Sequence, residues 1–318
     1  MKNSSMNQLE GTLVLVTGGA GFIGSHLVDG LLARGAKVRV LDNLETGHIE
    51  NLAHVREKIE FMQADIRDLE SCQAACRGAT FVFHEAALGS VPRSLELPAA
   101  SILTNVTGTA NVFTAARDQG VKRVVYASSS SVYGTSERLP ALEGEEGLPL
   151  SPYALSKHMN EELAATFVRC YGMQIVGLRY FNVYGARQDP NGAYAAVIPR
   201  FFVSCRNGKS PIIYGDGKQS RDFIYVGDVV DANLTALLGS GGEGRAFNVG
   251  AGTPTTVNDL ARAIARATGF NGGEVHEAPR PGDILHSIAD ASRIRETFGW
   301  AASTQLDQGI SNCSLFYT

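Results

Sequence analysis

The chain has 318 residues, of which 44% are hydrophobic and 19% charged, which supplies a sizeable core and excludes global disorder. Lysine and arginine together number 28 against 32 aspartates and glutamates, so the net charge of −4 does not suggest a nucleic-acid binder. No apolar run approaches the roughly 20 residues that a membrane span requires, so no membrane association is expected.

The cysteines and histidines suggest neither a disulfide framework nor a metal site. The five cysteines are odd in number and widely spaced, and the seven histidines form no HExxH-type cluster. The first ten residues are polar and lack the hydrophobic region of a signal peptide. We therefore expect a reduced, cytoplasmic protein with no bound metal.

Apolar runs typical of buried parallel strands alternate with segments of helical periodicity through the first part of the chain. Strands are predicted at 12–17, 37–42, 59–64, 80–84, 123–127 and 174–179. Such alternation predicts βαβ units and therefore a Rossmann-type, doubly wound parallel sheet of the α/β class.

Beyond residue 179 the pattern changes, and loop-forming clusters separate helices predicted at 194–206, 226–238 and 257–267 from a strand at 246–249. We expect a smaller α/β lobe that binds substrate, with the chain crossing back once to the large sheet. The predicted large domain comprises residues 1–180 and a return segment near 222–250. The predicted lobe comprises 181–221 and 251–318.

Glycines with the spacing G-x-x-G-x-x-G stand between the first strand and the first helix, at Gly18, Gly21 and Gly24. Without side chains, such a turn brings backbone N–H groups against a pyrophosphate at a helix N-terminus. Asp42, at the end of the second strand, is placed to accept hydrogen bonds from ribose hydroxyls and would repel a 2′-phosphate, so NAD is favoured over NADP. The predicted cofactor site also includes Phe22, Ile23, Asn43, Gly47, Asp65 (as an adenine contact), Ile66, Ala86 and Ala87.

Tyr153 and Lys157 form a Tyr-x-x-x-Lys pair within a helical stretch, so both side chains emerge on one face. A lysine cation about 4 Å away at an effective dielectric of about 20 would lower the tyrosine pKa by roughly three units, towards the range of a general acid/base. Upstream, a strand ends in a run of four serines, 128–131, where chemistry gathers in doubly wound sheets.

Together, the segments TGGAGFIG, SSSSVYG, SPYALSK and RYFNVYG resemble the extended short-chain dehydrogenase/reductase family, specifically its nucleotide-sugar epimerases. The resemblance extends from about Thr12 to Trp300. It implies that Ser129 is catalytic together with Tyr153 and Lys157. It also implies a set of further contacts. Asn105 holds the active-site helix and contributes to the cofactor site, and Asn182 contacts the sugar diphosphate.

In the smaller lobe, the resemblance implies that Arg221 and Arg280 hold the diphosphate and that Asp283 contacts the nucleotide ribose. Arginines suit charge-assisted contacts with phosphate. The substrate site that follows from the resemblance also includes Gly89, Ser90, Ser129, Ser130, Val197, Tyr214 and Ser287.

Departures from the family pattern reduce the number of reactions that the chain is expected to catalyse. Ser130 and Ser131 replace the Asp–Glu pair that the related dehydratases use, and the extra carboxylate of the decarboxylases is also missing. At the position of Ser287, a bulky tyrosine in galactose-type epimerases crowds the C2 substituent, whereas a serine admits an N-acetyl group. We therefore expect NAD-dependent C4 epimerisation of UDP-GlcNAc/UDP-GalNAc through a 4-keto intermediate, feeding surface-polysaccharide (O-antigen) synthesis.

Two alternatives remain open. One is an epimerase or reductase acting on a UDP-acetamido-uronic or other UDP-uronic acid, for which Arg93 and Arg187 supply cations near the site. The other is a non-catalytic NAD-sensing regulator, which the intact Ser–Tyr–Lys set disfavours. The resemblance further suggests a homodimer, formed as a four-helix bundle by the helices predicted at 98–117 and 151–170.

Overall fold

The computed structural model describes residues 8–191, 195–279 and 285–317. Its main sheet contains seven strands, which are β1 (Leu13–Thr17), β2 (Lys37–Asp42), β3 (Ile59–Gln63), β4 (Phe81–His84), β5 (Arg123–Ser129), β6 (Ile175–Tyr180) and β10 (Ala246–Val249). The smaller strands are β7 (Asn182–Tyr184), β8 (Ile212–Tyr214), β9 (Ser220–Tyr225), β11 (Pro254–Thr256) and β12 (Val275–Glu277).

All neighbours in the main sheet are parallel, and their order is β10-β6-β5-β4-β1-β2-β3. The strand order reverses between β1 and β4, which is where ligands bind in open α/β sheets, at the carboxyl ends of the strands. The predicted Rossmann-type fold is therefore confirmed.

Helices cover both faces of this sheet and also form much of the smaller lobe. They are α1 (Phe22–Leu32), α2 (Leu69–Cys76), α3 (Val91–Glu96), α4 (Pro98–Ile102), α5 (Gly108–Asp118), α6 (Pro152–Tyr171), α7 (Val197–Arg206), α8 (Val226–Leu238), α9 (Val257–Thr268), α10 (Ser292–Phe298) and α11 (Leu306–Ser314). One buried core joins the sheet to α1 and α8, and another joins it to α2, α5 and α6. This two-faced burial explains why the strands are continuous apolar runs.

A third core packs the smaller lobe, in which α7, α9 and α11 surround aromatic and aliphatic side chains that include Tyr184, Phe202 and Ile264. The three-stranded sheet β11-β9-β7 and the two-stranded sheet β12-β8 complete this lobe. Among the described residues, no helix combines the length and the apolar character that would let it cross a membrane.

The helix predicted over 98–117 differs from the expectation because one turn of π-helix, Leu103–Thr107, separates α4 from α5. Asn105 lies in that wider turn, and the Thr109 hydroxyl donates a 2.5 Å hydrogen bond to its carbonyl oxygen. Such π turns often occur at functional sites. The helix predicted from residue 194 begins at Val197, and residues 192–194 lie outside the described ranges.

Candidate active site

The glycine turn after β1 has no room for side chains. A Cβ atom at Gly18, whose φ is +71°, would lie 2.6 Å from the Ala86 nitrogen, and one at Gly24 would lie 2.2 Å from the Gly18 carbonyl oxygen. The helix α1 begins at Phe22 with no side-chain cap from the described residues. Backbone N–H groups at its first turn therefore face the cleft, and this arrangement fits the pyrophosphate of a dinucleotide.

Asp42, at the end of β2, binds the backbone of two neighbouring loops beside that turn. Its Oδ2 atom accepts a hydrogen bond from the Ala20 nitrogen at 2.9 Å, and its Oδ1 atom accepts one from the Leu44 nitrogen at 2.8 Å. Burial raises the pKa of this carboxyl, while the two backbone hydrogen bonds oppose the rise. A Cβ at Gly47 would lie only 3.0 Å from both carboxylate oxygens, so a side chain there would require the Asp42 carboxylate to shift by a few tenths of an ångström.

Asp65 lies nearby but is engaged by neighbours. It pairs with Arg67 at 2.5 Å and accepts a 2.8 Å hydrogen bond from Asn43 Nδ2, and these bonds hold its pKa down at about 2. Asn43 and Ile66 line the cleft, together with Gly18, Gly21, Phe22, Ile23, Gly24, Asp42, Ala86 and Ala87. An adenine contact by Asp65 stays a prediction, and in this structure its carboxylate is directed to Arg67.

The serines at the end of β5 point in different directions. Ser128 is buried and donates to Glu161 Oε1 at 2.5 Å. Ser129 donates a hydrogen bond to the Tyr153 oxygen and accepts one from the Ser131 nitrogen at 3.2 Å. Ser129 therefore contacts Tyr153 through a hydrogen bond, and the catalytic role that the resemblance implies for it stays a prediction.

Tyr153 and Lys157 lie one turn apart on α6 and face the same cleft as the glycine turn, a cavity of about 650 Å³. The Lys157 ammonium is buried, donates to the Ala127 carbonyl oxygen at 2.8 Å and lies 5.9 Å from the centroid of the Tyr153 ring. Burial lowers the pKa of Lys157 to about 8. A lysine in this range is still charged near neutral pH.

The expected fall of the Tyr153 pKa is not found in the protein chain by itself. Burial raises this pKa above the ordinary value of a phenol, the hydrogen bond from Ser129 lowers it, and the charge of Glu85 raises it further. The expectation assumed an ammonium about 4 Å away. In the structure the Lys157 ammonium donates to the Ala127 carbonyl oxygen, and the effect of burial outweighs the effects that would lower the Tyr153 pKa.

Asn105 connects the π turn to the active-site helix. Its Nδ2 atom donates to Ser156 Oγ at 3.0 Å, and its Oδ1 atom accepts from the Leu88 nitrogen at 2.8 Å. Ser156 in turn donates to the carbonyl oxygen of Tyr153 at 2.7 Å. Asn105 therefore ties the helix that carries Tyr153 to the loop after β4.

A second cavity, of about 390 Å³, lies in the smaller lobe and is lined by Asn182, Val197, Tyr214 and Arg221 among others. It shares Val183, Gln188 and Ala196 with the larger cleft, so the two spaces adjoin. The predicted residues Gly89 and Ser90 line the larger cleft, where Ser90 caps α3 by accepting a 3.2 Å hydrogen bond from the Arg93 nitrogen.

Several other predicted residues lie elsewhere. Arg280 and Asp283 fall outside the described ranges. Ser130 begins a short 3₁₀ turn and, like Ser287, is partly buried but does not line either cavity. Arg187 pairs with Asp29 at 2.7 Å, which is a structural role, whereas Arg93 lines the cleft.

Sequence analysis missed Glu85, which lies directly after β4 in the same cleft and accepts a 2.9 Å hydrogen bond from the Tyr180 hydroxyl. The signal that identified Asp42, a carboxylate at the carboxyl end of an apolar strand, is present here too. It also missed the buried Arg179, which pairs with Glu161 at 2.7 Å and with Glu146, and so holds β6 against α6.

A dinucleotide fits the glycine turn, and a Tyr–Lys pair with a serine donor faces the same cleft. The chain is therefore an enzyme of the extended short-chain dehydrogenase/reductase class. It belongs to the NAD dependent epimerase/dehydratase family, whose family model matches residues 14–250. NAD is its cofactor.

The chain is similar to several UDP-sugar 4-epimerases. It is 42% identical over 308 residues to the UDP-glucose 4-epimerase of Mycolicibacterium smegmatis, covering 95% of this chain and 97% of the relative. The structure of the UDP-N-acetylglucosamine 4-epimerase from Methanobrevibacter ruminantium, in complex with UDP-N-acetylmuramic acid, is similar with a TM-score of 0.92 at 38% identity, covering 97% and 98%. The UDP-glucose 4-epimerase of Thermus thermophilus, in complex with NAD, has a TM-score of 0.87 at 38% identity, covering 96% and 99%.

Proposed function

We propose that this enzyme interconverts UDP-GlcNAc and UDP-GalNAc by inverting C4 of the sugar. The observation that carries the proposal is the arrangement of Ser129, Tyr153 and Lys157 in the cofactor cleft, next to the cavity that Arg221 lines. Charged phosphate oxygens are well matched by an arginine, so this second cavity is suited to the nucleotide end of a UDP-sugar. Residues 181–221 and 251–318 would form the corresponding lobe.

The proposed chemistry assigns one role to each side chain. Tyr153, as phenolate, takes the proton of the C4 hydroxyl, and Ser129 donates a hydrogen bond to the same reacting oxygen. Lys157 holds a positive charge near the phenolate and so favours its formation. When bound, NAD supplies the acceptor of the C4 hydride and later its donor. The bound 4-keto sugar then rotates about its diphosphate linkage and presents its other face. Tyr153 returns the proton to the C4 oxygen, and the enzyme regains its starting state.

The preference for an N-acetylated sugar rests on the segment that contains Ser287. Its backbone nitrogen donates to the Ser220 carbonyl oxygen at 3.1 Å, and Arg221 contacts the Leu285 carbonyl oxygen at 3.4 Å. This segment therefore runs beside the side chain proposed to hold the diphosphate. Ser287 lines neither cavity, so the preference itself comes from the family resemblance, in which a serine leaves more space at the C2 substituent than the tyrosine of galactose-type epimerases.

Incubation with a panel of UDP-sugars, followed by NMR of the products, tests the proposal. We expect interconversion of UDP-GlcNAc and UDP-GalNAc, and no product with Tyr153→Phe. Because Arg93 lines the cleft, the panel includes UDP-uronic acids, and exclusive turnover of these would replace the proposed substrate. If UDP-GlcNAc and its uronic derivative are both untouched, the substrate assignment is wrong.

Ser287→Tyr tests the proposed gate. Extra atoms in a packed site cost about 1–3 kcal/mol, which corresponds to roughly 5- to 150-fold in binding. We expect kcat/KM to fall by this factor for UDP-GlcNAc and to change little for UDP-glucose. Ser287→Ala adds no atoms and serves as the control. Its kcat/KM for UDP-GlcNAc and for UDP-glucose should both stay near the wild-type values. Equal losses on both sugars would show general damage to the lobe and would exclude a C2 gate.

We also propose a homodimer through the helices around α4 and α6. These helices expose apolar side chains on one side, with Leu103 48%, Leu155 43% and Met159 40% accessible in the single chain. The spacing of Leu155, Met159 and the half-buried Leu163 places them on one helical face. Leucine and methionine in such a stripe are stabilised when a second helix pair covers them.

A further inference from the structure

The cleft contains a carboxylate that the proposed chemistry does not use. Glu85 follows β4, is partly buried, and lines the cleft beside Ser129, Tyr153 and Lys157. Its Oε1 atom accepts a hydrogen bond from the Tyr180 hydroxyl at 2.9 Å.

The Tyr180 hydroxyl is itself held by a hydrogen bond from a neighbouring helix. Asn233 Nδ2, on α8, donates to the Tyr180 oxygen at 2.8 Å and to the Val229 carbonyl oxygen at 2.8 Å. Three elements, β4, β6 and α8, thus hold the Glu85 carboxylate in one place. A charge fixed this firmly acts on its neighbours at constant distance.

The titratable groups around Glu85 come from three elements. From α6, Lys157 carries the positive charge that favours ionised Glu85, and Tyr153 is the neighbouring phenol. From β6 comes Tyr180, which burial keeps neutral, and from β4 comes His84, whose pKa burial lowers to about 3, so that it is neutral too.

Glu161 is the other carboxylate that acts on Lys157, but it lies 2.7 Å from the guanidinium of Arg179. That pairing places a cation directly against its negative charge. Glu85 takes its hydrogen bond from a neutral phenol instead, so its own charge remains effective within the cleft.

We propose that Glu85 is a positioning residue that acts through Lys157, keeping this lysine protonated on the alkaline side of neutrality and opposing ionisation of Tyr153. The proposal rests on the proposed function for the roles of Tyr153 and Lys157, but its electrostatic content does not require turnover. It assigns Glu85 no contact with the reacting atoms.

The pH range of the effect follows from the groups themselves. Burial raises the pKa of Glu85 to about 7, so its charge is present above that pH and is lost below it. Lys157, with a pKa of about 8, carries its charge below that value. Removing the negative charge of Glu85 lowers the pKa of Lys157. The decline of activity at alkaline pH should therefore begin at a lower pH than in the wild type.

Glu85→Gln is the variant that tests this, because glutamine keeps an oxygen that can accept a hydrogen bond from Tyr180. We expect the alkaline limb of the kcat/KM profile to move down by on the order of one pH unit, because a negative charge that favours protonated Lys157 has been removed. Glu85→Asp should keep the limb near its wild-type position.

Glu60→Gln is the matched control, because it removes one negative charge at an exposed residue on β3. It should leave both limbs in place. A fall in kcat for Glu85→Gln with an unmoved alkaline limb would show a merely structural role and would overturn the proposal.

A second measurement is independent of turnover. The ultraviolet absorbance of tyrosinate is followed against pH, and the Tyr153 component is obtained by difference from Tyr153→Phe. In Glu85→Gln the midpoint of this component should fall by about one unit, because the opposing charge is gone. If no UDP-sugar is turned over but the midpoint falls, the proposed function is wrong and the electrostatic role stands. If the midpoint does not move, the role of Glu85 is wrong whatever the enzyme converts.

Discussion

Gly24→Ala should weaken NAD binding, because backbone atoms of the glycine turn lie where the added Cβ would have to fit. The added Cβ would lie 2.2 Å from the Gly18 carbonyl oxygen and 2.8 Å from the Gly19 Cα atom, whereas ordinary contacts begin at 3.4 Å. Backbone atoms cannot rotate away as a flexible side chain can. The first turn of α1 must therefore move by about 1 Å relative to the loop before it.

A shift of this size acts on stability and on binding together. Overpacking typically costs about 1–3 kcal/mol, and each kcal/mol lowers Tm by about 2 °C in a chain of this length. The same displacement moves the N–H groups that face the pyrophosphate, so NAD affinity should fall about 5- to 150-fold.

The assay is calorimetric titration of nucleotide-free protein with NAD, paired with thermal unfolding with and without NAD. Gly273→Ala is the matched control, since its Cβ would meet no atom within 4 Å and its φ is not in the left-handed region. An NAD affinity of Gly24→Ala equal to that of Gly273→Ala would refute the assignment of this turn to the cofactor.

Two further predictions concern the support of Tyr153 and the assembly. Asn105→Ala removes the hydrogen bond to Ser156 and should lower kcat at least about 10-fold while NAD affinity, measured by the same titration, changes little; an unchanged kcat would show that the helix needs no such tie. Leu155→Glu should convert the dimer to a monomer in light scattering, whereas Leu315→Glu, at a residue 83% exposed, should leave the mass unchanged; a wild-type monomer at micromolar concentration would exclude the dimer.

Sequence patterns were sufficient for the parts of the fold that obey local rules. Apolar runs predicted the strands of the main sheet because both of its faces are buried, and the predicted helix 226–238 coincides with α8 (Val226–Leu238). The glycine spacing predicted a turn whose side-chain-free character the structure shows at Gly18 and Gly24.

What could not be predicted depends on distances across the fold. The helical spacing of apolar residues predicted neither the π turn that contains Asn105 nor the hydrogen bonds of its side chain to Ser156 and Leu88. The pKa of Tyr153 is raised by burial and by the charge of Glu85, a residue 68 positions away in the chain. Both effects run against the lowering of this pKa that was expected from the Tyr-x-x-x-Lys spacing.

The most direct test of C4 epimerisation follows a label at the reacting carbon. UDP-GlcNAc carrying deuterium at C4 is incubated with the enzyme, and the product is examined by NMR and mass spectrometry, with Tyr153→Phe as the inactive control. Because the proposed mechanism removes a hydride from C4 and returns the same hydride to C4, we predict UDP-GalNAc that retains deuterium at C4 and takes up no hydrogen from solvent. UDP-GalNAc whose C4 deuterium has been exchanged for solvent hydrogen would contradict hydride transfer and the mechanism built on Tyr153.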